Sequence, residues 1–307
     1  MLARKALPYS SDTSGRIISK DQAGESRFRF YAPRELGEAF RIDRFVASGQ
    51  KGAPSELIER LLRTSKNKIG GQATLRQPGG LPEPVARYLR RTLREGQPLV
   101  RVARLKQAGT LRTDVRSRRW LAFEAEHLAA PCATGFVWNA RVAIAPFLHV
   151  RVLDALIGGQ GSGEVALLSV FKLAAEAGTM EMSSGALHRY LAEAVWYPTA
   201  LLPSDELKWS PLAGDAALAT LSANGLTVSL EFRFSTAGEV TGIYTPARWG
   251  RFGGRYVQAA WEGHFADYRE TAGMRIPMSG EVGWYSDGAW QCVWKGKLTE
   301  IVYRTTG

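Results

Sequence analysis

The sequence predicts an α+β fold that is mainly antiparallel β: a strongly curved sheet, or half-barrel, wrapped around one helix, with a small N-terminal helical region. Three observations favour this fold. Apolar and polar residues alternate with a period of two through much of residues 99–307. Turn-forming pairs such as Asn224-Gly225 separate the alternating segments. One segment near the middle, residues 184–197, has helical spacing instead.

The composition excludes several classes of protein. The chain has 307 residues, 45% of them hydrophobic, which is enough for a sizeable core and excludes wholesale disorder. Two cysteines can form at most one disulfide, which cannot hold a chain of this length together, so a disulfide scaffold is excluded. No run of about 18 apolar residues exists, and no apolar segment follows the early pair Arg4-Lys5. We therefore expect no transmembrane segment, no secretory signal and a cytoplasmic protein with reduced thiols.

The charge is distributed unevenly along the chain. The net charge is +11, and residues 1–119 contain 26 Lys and Arg against 11 Asp and Glu, whereas residues 120–307 contain 14 against 18. All nine tryptophans lie in the second part. This contrast predicts two regions: a basic N-terminal arm with short helices over residues 1–98, and a curved antiparallel β domain over residues 99–307.

The N-terminal region shows few regular patterns. Residues 8–30 are polar and aperiodic, which predicts an arm. Apolar spacing predicts a short helix over residues 54–63, with Ser55 as its cap. A loop over residues 65–81 and a second helix over residues 82–94 follow, since prolines are tolerated in the first turn of a helix.

The second helix carries four arginines on one face. They recur at i, i+3, i+4 and i+7, and they are Arg87, Arg90, Arg91 and Arg94. Such a face could bind phosphates, anionic lipid heads or an acidic partner. The alternative is a solvated face opposite a buried apolar stripe, which is the commoner role of a basic helix face.

The pattern of the second region predicts about ten strands interrupted by one helix. Each alternating segment, for example residues 226–234, has one apolar and one polar face, which is typical of antiparallel strands. The helix over residues 184–197 has Ser183 or Ser184 as its cap and ends before Pro198. An isolated helix must bury its apolar stripe on the sheet. A strongly curved sheet achieves this and leaves a packed core or a ligand cavity at its open end.

The segment RYLAEAVWYPTALLP, residues 189–203, resembles the signature of a bacterial family of domains of unknown function, the 6544/6920 type. Further similar segments begin at Leu81, Gly135, Asp267 and Ile276. The resemblance extends from about Leu81 to Tyr303 and implies no activity. The order of strands and helix is also similar, more weakly, to half-barrel lipoprotein carriers, which implies a concave sheet that holds acyl chains.

The candidate catalytic residues lie on the central helix. Glu193 follows Arg189 by four residues, so the two side chains share a helix face. Glu193 could act as a general acid or base, while Arg189 or Tyr190 stabilises developing negative charge. A structural ion pair that fixes the helix against the sheet would explain the same residues.

The candidate ligand-binding residues combine polar groups of this helix with aromatic rings. They are Arg189, Glu193, Trp196, Tyr197, Trp138, Trp209, Trp284 and Asp267. The tryptophans could line a pocket or simply fill the inside of the sheet. No metal site is predicted, because the four histidines and two cysteines lack ligand spacing, and no cofactor is predicted.

Three functions therefore remain open. The first is a binding protein that holds a hydrophobic or amphipathic small molecule inside the curved sheet. The second is an enzyme that uses Glu193 in the same cavity. The third is a protein that binds polyanions or a partner through its basic N-terminal third.

Overall fold

The structure, a computed structural model, describes residues 53–66, 71–75 and 80–305. The predicted arm over residues 8–30 and part of the predicted loop over residues 65–81 lie outside them. The described helices are α1 (Ala53–Lys66), α2 (Glu83–Thr92) and α3 (Met180–Glu193). The described strands are β1 (Val100–Leu111), β2 (Leu121–Ala130), β3 (Gly135–Ala145), β4 (Leu148–Ile157), β5 (Gln160–Leu167), β6 (Phe171–Ala177), β7 (Leu207–Pro211), β8 (Ala216–Ala223), β9 (Leu226–Phe234), β10 (Val240–Phe252), β11 (Arg255–Thr271), β12 (Met274–Ser286) and β13 (Ala289–Thr305).

All these strands form one antiparallel sheet in the order β6-β5-β4-β3-β2-β1-β13-β12-β11-β10-β9-β8-β7. The predicted number of about ten strands is too low. Strand β6 is exposed along nearly its whole length and shows no alternation, and β7 has only five residues. The predicted turns hold: Asn224-Gly225 and Asp287-Gly288 each link neighbouring strands with positive φ at both residues.

The sheet curves around α3, as the sequence predicts. Helix α3 contacts β3, β4 and β5 on one side and β9 and β10 on the other, although these strands are far apart in the sheet order. Three glycines meet across neighbouring strands, since Gly109 pairs with Gly296 and Gly296 pairs with Gly280. A Cβ atom on Gly109 would overlap the carbonyl oxygen of Lys295. The backbones of β1 and β13 therefore approach closely where the glycines lie.

The central helix begins earlier than predicted. Its cap is Thr179, whose side chain accepts a hydrogen bond from the backbone N–H of Met182. Ser183, one of the two predicted caps, lies inside the helix and accepts a hydrogen bond of 2.9 Å from the N–H of Gly161 on β5. A 3-10 turn, Ala194–Trp196, continues the helix toward Pro198. The predicted end is thus correct, but the last turn is tighter than an α-helix.

Helix α2 packs into the same core as the sheet. Val85, Tyr88 and Leu89 are fully buried, and the ring of Tyr88 lies 5.8 Å from that of Phe234 on β9. Helix α2 and the sheet therefore share one core within the described residues, and the division of the chain at residue 98 stays a prediction. The amphipathic pattern of α2 places one of its faces inside, but it does not specify the surface that covers that face.

Among the described residues, no helix has both the length and the apolar character needed to cross a membrane. Cys132 and Cys292 are each half-buried.

Candidate functional site

A cavity of about 480 Å³ lies between α3 and the concave side of the sheet. Residues of α3 and of strands from both halves of the sheet line this cavity. The cavity therefore depends on the curvature that brings the two halves together. Its apolar lining includes Trp138, Val152, Val165, Trp196, Trp261, Phe265, Val282, Trp284 and Trp294. Its charged lining includes Arg112, Asp154, Arg189, Glu193, Arg248 and Glu281. An apolar wall with a few convergent polar groups is the usual composition of a small-molecule site.

Arg189 bridges two carboxylates in this cavity. Its Nε atom donates to Glu193 Oε1 at 2.8 Å, and its Nη1 atom donates to Asp154 Oδ2 at 3.0 Å. The pKa of Arg189 is raised above its ordinary value. Burial by itself would lower this pKa, but attraction from Glu193 and Asp154 is the stronger effect. Burial also raises the pKa of Asp154, which the Arg189 guanidinium partly opposes. The predicted pairing of Glu193 with Arg189 is present, with Asp154 as an added partner.

Arg248 is a second half-buried cation with a different environment. Its guanidinium lies 4.5 Å from the ring centre of Trp261 and 4.9 Å from that of Trp284. Its Nε and Nη2 atoms donate to the carbonyl oxygen of Gly185 at 3.1 and 3.0 Å. Burial, and then repulsion from Arg189, lowers the pKa of Arg248 to about 9, although attraction from Glu193 and Asp154 partly opposes this. Unlike Arg189, Arg248 forms no ion pair with a carboxylate of the described residues.

His127 lies behind Glu193. The imidazole is fully buried, its ring stacks on Phe136 at 5.5 Å, and its Nε2 atom lies 3.6 Å from Glu193 Oε2. Burial lowers the pKa of His127 to about 4, so the ring is neutral near pH 7. Within the described residues, neither ring nitrogen has a hydrogen-bond partner, and Glu193 Oε2 has none either. The carboxylate of Glu193 therefore keeps one oxygen without a donor.

Three of the predicted tryptophans line the cavity, and one does not. Trp138 lies under the Arg189 guanidinium at 4.8 Å and donates its indole N–H to Gln107 Oε1 at 2.8 Å. Trp196 and Trp284 complete the wall. Trp209 on β7 instead packs against Phe232 at 5.2 Å, and its indole N–H donates to the carbonyl of Leu201.

Tyr190, Tyr197 and Asp267 also lie outside the cavity lining. Tyr197 is fully buried, and its hydroxyl donates to the carbonyl of Tyr190 at 3.1 Å. The Tyr190 hydroxyl points to the carbonyl of Pro131 at 3.3 Å, away from Glu193. Asp267 has a φ of 59° at an unpaired position of β11, and its carboxylate accepts from Ser279 Oγ. Because residues 189 and 190 diverge by about 100° around a helix, Tyr190 cannot face the cavity with Arg189.

Asp154 and Arg248 line the cavity but are not among the candidate residues that the sequence indicates. Two signals could have indicated them. Asp154 is an acidic residue near the end of an apolar strand, where a charge needs a partner. Pro246 interrupts β10, and a register shift between Thr245 and Arg248 marks a bulge there. The bulge changes the alternation of β10, so a simple period of two does not indicate which face Arg248 occupies.

The arginine face of α2 is partly used within the chain. Arg87 pairs with Glu83 at 2.7 Å and with Asp215 at 2.5 Å, and Arg94 pairs with Glu270 at 3.1 Å. Arg90 and Arg91 are exposed. The predicted four-arginine surface for an acidic partner is therefore not supported, because two of its members already bind carboxylates.

The fold and the cavity define a class of protein: an open, curved antiparallel sheet that encloses a helix and a cavity with a charged end. Within the described residues, no group of three or more His, Cys, Asp or Glu side chains is arranged to hold a metal ion. A family of unknown function, DUF6544, matches residues 71–296, which is most of the chain. The chain belongs to this family, which confirms the resemblance noted from its sequence.

Two solved structures are similar to the chain at low identity. A LolA-superfamily protein from Nitrosomonas europaea is 8% identical with a TM-score of 0.38, over 74% of this chain and 94% of that one. A beta-barrel-like protein of domain of unknown function DUF1849 from Brucella abortus is 12% identical with a TM-score of 0.21, over 67% of this chain and 98% of that one. No curated protein matches the chain.

Proposed function

We propose that the protein binds an amphipathic small molecule whose anionic head pairs with Arg248 and whose apolar part lies against the tryptophans of the cavity. The observation that carries this proposal is the contrast between Arg189 and Arg248, two half-buried arginines of the cavity wall. Arg189 is held by two carboxylates, whereas Arg248 has aromatic rings and a carbonyl as neighbours. A half-buried guanidinium without a carboxylate partner in hydrogen-bond contact is a favourable site for an anion.

The wall of the cavity supports an apolar body for the ligand. Its volume of about 480 Å³ lies within the range of roughly 300–1,000 Å³ that is common for small-molecule sites. Trp138, Trp196 and Trp294 present aromatic surface, and Val282 adds aliphatic surface. These groups release water when an apolar chain or ring covers them, which favours binding.

Asp154, Arg189 and Glu193 serve as positioning groups in this proposal. The guanidinium of Arg189 offsets one of the two carboxylate charges, and the two ion pairs fix α3 against β4. An anion that entered without Arg248 would meet the negative side of this cluster, so the guanidinium of Arg248 selects the orientation of the ligand.

The test compares two ligands of equal chain length, a fluorescent fatty acid and the corresponding alcohol. Arg248→Gln should weaken binding of the acid by about tenfold or more, since a hydrogen bond to a charged group contributes about 1.5–3 kcal/mol. Binding of the alcohol should change little. Arg255→Gln, at the exposed first residue of β11, is the matched control and should behave as the wild type. Equal loss for acid and alcohol, or no loss, would refute the role of Arg248.

An enzymatic function in the same cavity is the second candidate, because the Glu193 side chain lines the cavity. Its Oε1 atom accepts a hydrogen bond from Arg189, whereas its Oε2 atom faces the neutral imidazole of His127 at 3.6 Å. A carboxylate in this position could accept a proton from a bound substrate. Glu193→Gln should then abolish turnover of a bound ester or amide while it preserves binding. Turnover that persists in Glu193→Gln would exclude this role.

The cytoplasmic location stays a prediction.

A further inference from the structure

Three connections between neighbouring strands lie at one end of the sheet. They are the loop over residues 112–120 between β1 and β2, the turn at Pro146-Phe147 and the turn over residues 168–170 between β5 and β6. Because β1 to β6 are sequential antiparallel neighbours, alternate connections meet at the same end. The Arg119 guanidinium donates to the carbonyl of Ile144, which ties the loop to the next hairpin.

These connections expose large apolar side chains. Phe147 is fully exposed, and Val170 and Phe171 are 74% and 64% exposed. Leu168 and Trp120 are about two-fifths exposed. We call these five side chains the hairpin rim. Single exposed apolar residues are common, but a group of them at adjacent turn tips marks an interaction surface.

The backbone at the rim is unfavourable for the residues that occupy it. Phe147 has a φ of 62° and Leu168 a φ of 50°, in the left-handed region that favours glycine or asparagine. Leu168 is partly buried in return, whereas the Phe147 side chain gains no burial. The tight turn between β3 and β4 requires the left-handed backbone but not a phenylalanine, so an exposed aromatic residue at this position indicates a function outside the fold.

The rim is accompanied by positive charge. Arg116, Arg118 and Arg119 are exposed in the loop over residues 112–120, where Asp114 is the only acidic residue. Lys172, next to Phe171, is 59% exposed and pairs with Glu164 at 3.3 Å. Aromatic and aliphatic tips backed by cations fit the boundary between lipid head groups and acyl chains, where the tips insert and the cations meet anionic heads.

We propose that the hairpin rim docks on an anionic lipid bilayer surface. The same loop contributes Arg112 and Thr113 to the wall of the cavity. Docking would therefore bring the edge of the cavity next to the membrane, where amphipathic molecules are concentrated. The docking goes beyond the proposed function and does not depend on the occupant of the cavity.

The test is flotation of the full chain with vesicles of phosphatidylcholine alone and with vesicles that also contain phosphatidylglycerol. We expect binding to the anionic vesicles that weakens with added salt. Phe147→Gly combined with Phe171→Ser should lower the partition coefficient by at least about tenfold. Arg116→Glu combined with Arg118→Glu should lower it by at least about twentyfold, since one basic residue near an anionic surface contributes about fivefold.

The controls are variants away from the rim. Leu212→Ser removes an exposed leucine beside β7, and Arg269→Glu reverses an exposed charge toward the other end of β11. Both should bind vesicles as the wild type does. Phe147→Gly should also keep the thermal midpoint, because it relieves a left-handed phenylalanine and removes no buried contact.

Several results would overturn the proposal. The proposal is wrong if the rim variants bind vesicles as tightly as the controls do. It is also wrong if the wild type binds vesicles with and without phosphatidylglycerol equally. A lower thermal midpoint in Phe147→Gly would show that the fold needs this side chain. The outcome is separable from that of the proposed function. Arg248→Gln should lose the fatty acid but keep vesicle binding, whereas the rim variants should do the reverse.

Discussion

Acid should destabilise this protein through one buried histidine beside the candidate site. His127 has a pKa of about 4 in the folded chain against 6.5 for an unhindered imidazole, because burial disfavours its charged form. The unfolded chain therefore binds this proton more readily than the folded chain does. The contribution to stability is complete above pH 6.5 and is lost as the pH falls toward 4.

The size of the effect follows from the two pKa values. Between about pH 7.5 and about pH 4.5, His127 alone should lower the free energy of unfolding by about 2.5 kcal/mol. Protonation would also place a cation near Arg189, although Glu193 at 3.6 Å attenuates that repulsion. His188, whose pKa burial and Arg248 lower to about 4, adds a second term of the same sign.

The assay is urea unfolding at both pH values for the wild type, His127→Phe and His127→Gln. All other titrating groups are common to the three proteins, so the difference isolates His127. Each variant should lose about 2.5 kcal/mol less than the wild type on acidification. The glutamine variant separates loss of titration from the change in polarity, and the phenylalanine variant keeps a ring against Phe136. Stability that falls in parallel in all three proteins would refute the argument.

Two predictions concern the elements that shape the cavity. Thr179→Ala removes the cap of α3 and should lower stability by about 1 kcal/mol, measured by urea unfolding, whereas Thr179→Ser should retain most of it. Gly109→Ala places a Cβ against the carbonyl of Lys295 and should cost about 1–3 kcal/mol by the same assay. An unchanged midpoint for Gly109→Ala would mean that β1 and β13 do not approach as closely as described.

Much of the fold could be predicted because its determinants are local. Alternation over residues 226–234 specifies a strand with one buried face, and this face is buried in β9. Asn224 and Gly225 tolerate the positive φ that a tight hairpin requires, so the turn follows from the two residues themselves. The sequence pattern does not predict strand β6, because its seven residues are nearly all exposed and therefore do not alternate between an apolar and a polar face.

The residues of the candidate site could be predicted only in part from the local sequence pattern. Helical spacing correctly joined Arg189 and Glu193, because both lie on one helix face. It also grouped Tyr197 with them, although the chain tightens into a 3-10 turn after Glu193 and directs that ring into the core. A residue beyond the end of the regular helix does not keep the helical phase.

By itself, the sequence determined the antiparallel strands, the central helix and the Glu193–Arg189 pair, because each depends on residues that are close along the chain. Only the tertiary structure decided that Asp154 meets Arg189 and that Arg248 lies between Trp261 and Trp284. Those contacts join strands separated by long stretches of chain, and a bulge in β10 resets the alternation that would otherwise indicate the side of Arg248. The curvature of the sheet, which brings both halves onto α3, therefore decides which charges share the cavity.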